Sequence, residues 1–322
     1  MTRLLDVPDI LTKPLPLPEL AGMRPAVHVF DRPSVLAIDA AIACGRPLLV
    51  RGEPGAGKSQ LARAAAKALG RVFVSRFVDA RTEVHDLMWH HDAVTRLAEA
   101  QIQRSADPEA VARELERIRY VAPGPLWWAL DWDGALEQAT EKALKIKPAI
   151  PRIAEGCSSK GGVVLLIDEI DKADTSVPNG LLEVLGQRTF AVPGRDAPVH
   201  ATGATPLVLF TTNEDRVLPD AFVRRCVVLH LQLPREHGEL LAWLRTRGEA
   251  HFPELAATEV LERAAVQIAN DRESGREANA YQPGLAEYID LITAAIEPGV
   301  VGALERMAEL GEFFRKRGPS RT

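Results

Sequence analysis

The chain has 322 residues, 46% hydrophobic and 26% charged, enough for about two domains with a substantial core. A net charge of −5 and a pI near 6.0 give no global basic field for nucleic acid or anionic lipid, although a local basic patch stays open. Three widely spaced cysteines, Cys44, Cys157 and Cys226, read as reduced thiols rather than a disulfide framework or metal cluster. No apolar run approaches the ~18 residues of a membrane span. The Pro8, Pro14, Pro16 and Pro18 region lacks the apolar stretch of a secretory signal, so a cytoplasmic, membrane-free protein is expected.

Residues 1–33 are predicted to form an extended N-terminal arm. Leu15-Pro16-Leu17-Pro18 disfavours helix and favours polyproline-like chain, either laid over a surface or neighbour or left disordered. Ser34 is expected to cap a helix from Val35 to Cys44, closed by Gly45 and Pro47. Leu48-Leu49-Val50 then reads as a strand. Gly52 to Ser59 spells G-x-x-x-x-G-K-S, and a helical run from Gln60 to Leu69 stops at Gly70. Strand, glycine-rich loop and helix are the context a phosphate-binding loop requires. Glycines turn backbone N–H groups inward around an anion, and the helix start adds its positive dipole end. Lys58 would reach the β- and γ-phosphates, and the Ser59 hydroxyl would help hold Mg²⁺. Gly52, Glu53, Pro54, Gly55, Ala56, Gly57, Lys58, Ser59 and Gln60 are therefore the candidate nucleotide-binding residues.

Arg71 to Val78 is a second strand by its β-branched and aromatic content. From Arg81 to about Ile153 the reading is mostly helical. Asp107-Pro108-Glu109 looks like a helix start, and the charges of Ala110 to Tyr120 suggest a solvent-facing helix. Trp127, Trp128 and Trp132 are read as core anchors, with an exposed partner patch as the other possibility. His85, Asp86, His90, His91 and Asp92 invite a metal reading, since Asp86 and His90 could share a helix face. No H-E-x-x-H spacing or cysteine supports it, so a polar helix face is preferred.

Gly162 to Ile167 is continuously apolar, as in a parallel strand covered on both faces, and ends in Asp168-Glu169. A helix follows from Val177 to Leu185. Arg188 to Ala204 is predicted to be a hairpin turning at Pro193-Gly194-Arg195-Asp196. Leu207 to Thr212 is a strand ending at Asn213, and Val227 to Leu231 is the last strand. Beyond Pro234 the pattern is helical only: Glu236 to Arg247, Ala257 to Asn270, Pro283 to Ile296 and Val300 to Phe314, then a basic tail of Arg315, Lys316, Arg317 and Arg321. The expected fold is α/β, a three-layer αβα core with a parallel sheet over residues 34–233 and a small all-α lid over 234–322.

Phosphate binding alone is not catalysis. Mg²⁺ needs further oxygen ligands, and Asp168 lies at the strand end where ligands of open α/β sheets sit. Glu169 beside it is placed to polarise a water, and the Asn213 amide could bond that water and a γ-phosphate oxygen. Arg224-Arg225 is either a solvated pair or the source of a guanidinium fork for the γ-phosphate of an adjacent subunit.

With these residues in place the chain resembles an AAA+ ATPase, and within that group the MoxR branch. Gly52 to Ser59 is similar to the Walker A motif, Leu165 to Glu169 to Walker B, Asn213 to sensor 1, and Arg225 to the arginine finger, with Arg224 its competitor. Gly124-Pro125-Leu126-Trp127 resembles the branch's G-P-L-F segment, Leu181 to Leu185 its L-L-E-A-M helix, and Arg188 to Ala204 its hairpin. The resemblance implies an ATP- and Mg²⁺-dependent ring, usually a hexamer, with a chaperone-like role on a protein client such as a von Willebrand factor A-domain protein. Two places depart from the family text. Gln282-Pro283-Gly284-Leu285 puts Gly284 where the sensor 2 arginine of S-P-R-A should stand, with Arg272 and Arg276 open as substitutes. Arg81 to Tyr120 is unlike the family and is expected to hold substrate-specific elements. Two other classes stay in view, a nucleotide-gated switch or scaffold in a signalling or defence system, and a nucleic-acid motor. Acidic net charge disfavours the motor, as does a hairpin with Arg188 and Arg195 as its only arginines or lysines.

Overall fold

The computed structural model describes residues 3–20, 22–102, 115–278, 280–297 and 299–314. In chain order the elements are β1 (Leu15–Leu17), β2 (Ala26–His28), α1 (Arg32–Cys44), β3 (Leu48–Gly52), α2 (Lys58–Ala68) and β4 (Arg71–Phe77). Next come α3 (Val84–Met88), β5 (Trp89–His91), α4 (Ala93–Ile102), β6 (Val121–Pro123), α5 (Pro125–Leu130), α6 (Trp132–Thr140) and β7 (Ser158–Asp168). They are followed by α7 (Ser176–Gln187), β8 (Thr189–Phe190), β9 (Val199–His200), β10 (Leu207–Thr212), α8 (Asp220–Val223) and β11 (Val227–Leu231). Four helices close the chain: α9 (His237–His251), α10 (Val260–Glu277), α11 (Leu285–Ile296) and α12 (Ala303–Phe314).

The apolar runs pair into one five-stranded parallel sheet in the order β11-β3-β10-β7-β4. Alternation along β7 shows why these runs are continuously apolar. Val163, Leu165 and Ile167 enter one core layer with Trp127 and Phe210, while Val164 and Leu166 enter the other with Leu48 and Val50. A strand covered on both faces has no side to give to water. The product is a three-layer αβα core followed by a helical region, whose own core is built on Leu244, Leu261, Ile268 and Leu291. Among the described residues no helix is long and apolar enough to cross a membrane.

The arm is docked on the second layer of its own core. Leu4, Ile10, Leu17 and Leu20 are buried there. Buried Asp39 of α1 accepts the N–H groups of Leu4 (2.6 Å) and Leu5 (3.1 Å). Arg63 of α2 donates to the carbonyls of Leu17 and Arg24, both at 2.9 Å, and to that of Pro18.

Several local expectations are corrected. Asp31, not Ser34, caps α1 by accepting from Ser34 N at 2.8 Å, because Pro33 lacks the N–H and fits the first turn. Among the described residues after β4 helices predominate over strands, as expected, but β5 and β6 pair antiparallel and no regular element covers 141–157. α3 ends at Met88, so Asp86 and His90 do not share a helix face. The helix start at Asp107 and most of the helix from Ala110 lie outside the described residues, as does the basic tail. Of that helix's described end, Arg117–Tyr120 is a 3₁₀ turn with Tyr120 fully buried. Trp127 and Trp128 are buried and Trp132 packs on Trp128, so they anchor the core. The β8–β9 pair forms the predicted hairpin, and Arg195 of its turn stands 5.4 Å from the Trp127 ring centroid.

Candidate active site

β3 ends at Gly52, a residue only glycine can supply. Its φ is 152°, and a Cβ there would stand 2.4 Å from the Leu231 carbonyl oxygen of the neighbouring strand. The chain then turns through Glu53 to Gly57, and α2 begins at Lys58 behind a left-handed Gly57. The Lys58 ammonium donates to Gly52 O (2.7 Å), Glu53 O (2.8 Å) and Asn213 Oδ1 (2.7 Å). Burial pulls this ammonium below its ordinary value, while Asp168, Glu169, Asp171 and Asp215 pull the other way. Lys58 is therefore folded onto the loop where a phosphate would compete for it.

Two linked chains of contacts cross the carboxyl ends of β3, β7 and β10. In the first, Ser59 Oγ donates to Asp168 Oδ2 at 2.8 Å, and Thr211 Oγ1 donates to Asp168 Oδ1. In the second, Asn213 joins Lys58 to Glu169 by donating from Nδ2 to Glu169 Oε1 at 3.0 Å. Thr211 ties the two together by accepting from Glu169 N at 2.9 Å. Glu169 stands at φ 57°, a left-handed conformation that costs a side-chain residue about 1–2 kcal/mol. Such strain persists where the surroundings over-determine it, as at active sites. Thr211 is legible in the sequence only as one of two buried threonines, with Thr212, at the end of an otherwise apolar strand, and sequence reasoning passes over it.

The helical region supplies the other wall. Gly284 lies against the loop, since a Cβ on it would stand 3.9 Å from Pro54 O, and one on Gly55 would meet Ala286 of α11 at 3.2 Å. The guanidinium near the loop comes from α10 instead. Arg272 Nη2 donates to Glu53 Oε2 at 2.6 Å, and its Nη1 donates to Pro283 O at 3.2 Å. Arg276 lines the same cleft of about 460 Å³ but pairs with Glu273. The fold thus distinguishes two arginines that spacing leaves equal.

Gln60 is not among the carboxylates. It donates to Val27 O of the arm at 3.2 Å and lines a second, smaller cleft with His28, Trp243, Arg247 and His251. Arg247 lies 3.5 Å over the Trp243 ring, and burial lowers its pKa to about 10. Burial lowers His28 to about 4, opposed by a hydrogen bond with Gln60 and the charge of Asp31, and assisted by Arg247 and His251. The folded value lies below the unfolded one, so the unfolded chain takes up the extra proton first. Stability is therefore present above about pH 6.5 and lost as pH falls toward 4, by on the order of 1–2 kcal/mol for a partly exposed ring. A His28→Gln variant is expected to lose less stability than the native chain between about pH 7 and pH 4.5. Urea midpoints at the two pH values check this, and equal losses in both chains would refute it.

Arg224 and Arg225 lie at the other end of the sheet. They follow α8 and precede β11, whose Val227 pairs with Leu48 at the start of β3. Both are exposed. Arg225 lies in the turn before β11, and four paired steps from Val227 to Leu231 separate that turn from the level of the phosphate loop, roughly 13 Å at ~3.3 Å per residue. No arginine side chain spans that, so within one copy the pair cannot reach the loop.

Among the described residues no group of histidines, cysteines and carboxylates forms a metal cluster. His85 is stacked on Trp89 at 5.0 Å, and Asp92 accepts from Thr95 N at 2.9 Å at the start of α4. The Ser59 hydroxyl and Asp168 carboxylate are hard oxygen donors already in contact, a set that fits Mg²⁺.

A family model described as AAA domain (dynein-related subfamily) matches residues 47–247. No curated protein matches the chain. A solved structure from Cytophaga hutchinsonii, described as a "putative ATPase", aligns over 85% of this chain and 66% of its own length, with a TM-score of 0.38 and 16% identity.

Proposed function

The chain belongs to the AAA domain family, dynein-related subfamily, and on that premise we propose that it hydrolyses ATP with Mg²⁺ at a site shared between copies. The observation that carries this reading is the double chain of contacts from Lys58 through Asn213 to Glu169 and from Ser59 through Asp168 to Thr211. Lys58 and the loop amides hold the phosphates, displacing the loop carbonyls from the ammonium. Ser59 and Asp168 hold Mg²⁺, and Thr211 fixes the second carboxylate oxygen. Bound there, Mg²⁺ neutralises charge that develops on the phosphate oxygens. Glu169, aimed by Asn213, orients and deprotonates the attacking water. Arg225 of an adjoining copy completes the site, which requires a ring, here a hexamer.

Gly284 leaves the usual lid position without a cation, and Arg272 takes its place. Once a terminal phosphate competes with Glu53 for this guanidinium, core and helical region close on the nucleotide. Movement between them remodels or activates a protein partner. The Gly124 to Trp127 and Leu181 to Leu185 segments support the MoxR branch, and with it a von Willebrand factor A-domain client and a cytoplasmic setting. A second reading is a nucleotide-gated switch in a signalling or defence system. It is favoured by Arg272 being engaged with Glu53, a contact that must break before the guanidinium meets a phosphate.

Phosphate release from ATP and Mg²⁺ by the purified chain, followed as its concentration rises, tests the function. A chain that neither binds ATP nor releases phosphate at any concentration refutes it. Arg272→Ala should weaken ATP binding about tenfold or more, the worth of one hydrogen bond between charged groups, while leaving ADP binding nearly unchanged. Equal weakening for both nucleotides would show that Arg272 does not meet the terminal phosphate.

A further inference from the structure

At the amino end of the sheet a cavity of about 260 Å³ opens between the turn before β3, the end of α7 and the start of β10. Its floor includes Leu182, Leu185 and Val208, and its lining carries Arg46, Arg188 and Arg225 with no carboxylate. Guanidiniums gathered without a counter-charge repel one another, and an anion relieves that repulsion. Arg46 is engaged, since its Nη2 donates to Arg224 O at 2.8 Å. Among the described residues, the side chains of Arg188 and Arg225 have no hydrogen-bond or ion-pair partner.

Arg188 carries a second, independent observation. It ends α7 at φ 54° and ψ 34°, the left-handed conformation in which glycine is the ordinary choice. Its backbone is fixed from both sides: its N–H donates to Val184 O at 2.8 Å, and its carbonyl accepts from Ala201 N at 2.9 Å. The backbone thus has a structural task that glycine would perform with less strain. The arginine side chain, partnerless and on the same cavity as Arg225, adds nothing to that task.

We propose that Arg188 is a second arginine contributed across the boundary between copies, contacting beside Arg225 the terminal phosphates of ATP held by an adjoining copy. This rests on the shared-site reading above. Charge complementarity selects that occupant. At the opposite end of the sheet Asp168, Glu169 and Asp171 gather around the phosphate loop, while Glu53, Glu214 and Asp215 are paired with Arg272, Arg51 and Lys172. Bound phosphates therefore supply the further negative charge that partnerless guanidiniums would meet. Head-to-tail association sets the arginine end of one copy on the phosphate-holding end of the next, and the same contact repeats around a closed ring. Two guanidiniums can share the terminal phosphate oxygens through charge-assisted hydrogen bonds.

Arg188→Gly is the variant to make, because glycine relieves the left-handed backbone while removing the guanidinium. It should melt no lower than the native chain. Binding of a fluorescent ATP analogue is then measured in a Glu169→Gln background, at a dilution where light scattering reports single copies and at a concentration where it reports assembly. Arg188→Gly should match the native side chain at dilution and bind about tenfold more weakly when assembled. Equal weakening at both concentrations places Arg188 within its own copy and overturns the proposal. No weakening at either, with Arg225→Ala still weakening the assembled form, leaves the shared site standing and removes Arg188 from it. If even native Arg188 and Arg225 give no tightening on assembly, the shared-site reading fails and this proposal with it.

Discussion

Glu169→Gln is expected to bind ATP about as tightly as the native chain and to hydrolyse it at least about a hundredfold more slowly. Glutamine keeps the size of the side chain and an oxygen that can accept the Asn213 amide, the contact now 3.0 Å long. What it removes is the negative charge and the place for a proton. Neither is needed to hold phosphates, the task proposed for Lys58 and the loop amides. The backbone reinforces this separation. Glu169 N is held by Thr211 Oγ1, so the left-handed turn that aims residue 169 survives the substitution. Measuring phosphate release beside bound nucleotide checks both halves at once. Undiminished turnover would remove Glu169 from catalysis, and lost ATP binding would show that its charge supports the loop instead.

Whether a part of the fold or the site is legible in the amino-acid sequence depends on how local its contacts are. The phosphate loop is read from consecutive residues, and its cradle depends on little beyond Gly52 and its neighbours. Asp168, Glu169 and Asn213 are legible because a continuous apolar run ending in a polar residue predicts a strand end, and parallel strands bring their ends together. Thr211 and Arg272 are not, because their roles depend on partners far along the chain: Thr211 on Asp168, Arg272 on Glu53. Spacing cannot separate Arg272 from Arg276, which are one helical turn apart; only the docking of α10 over the loop does. The β5–β6 pair is hidden for a similar reason. Trp89 to His91 is too short and too polar to announce a strand, and it is made one by Val121 to Pro123 about thirty residues later. The cap of α1 turns on a single residue, because Pro33 reads as a break when its missing N–H suits the first turn.

Arg225→Ala is expected to lower turnover by about a thousandfold or more at concentrations where copies assemble, with the dilute chain little affected. The position dictates the asymmetry. Arg225 lies in the turn before β11, four paired strand steps or roughly 13 Å along the sheet from the level of its own copy's phosphate loop, beyond the reach of one side chain. Its guanidinium can therefore act on ATP only in an adjoining copy, where it would meet charge that develops in the transition state. A mixing experiment isolates that geometry. Copies carrying Lys58→Ala bind no phosphate but keep their arginines, and copies carrying Arg225→Ala keep a sound loop. Each is inactive alone, yet together they should recover part of the native rate, because some boundaries then pair a native loop with a native arginine. Arg224 supplies the control. Its carbonyl is held by Arg46, so Arg224→Ala keeps the local backbone and should leave turnover within a few-fold of native. If Arg224→Ala abolishes turnover and Arg225→Ala does not, the two exchange roles. If neither changes it, catalysis is completed within one copy, and Arg272 beside the loop is then the first arginine to test for that role.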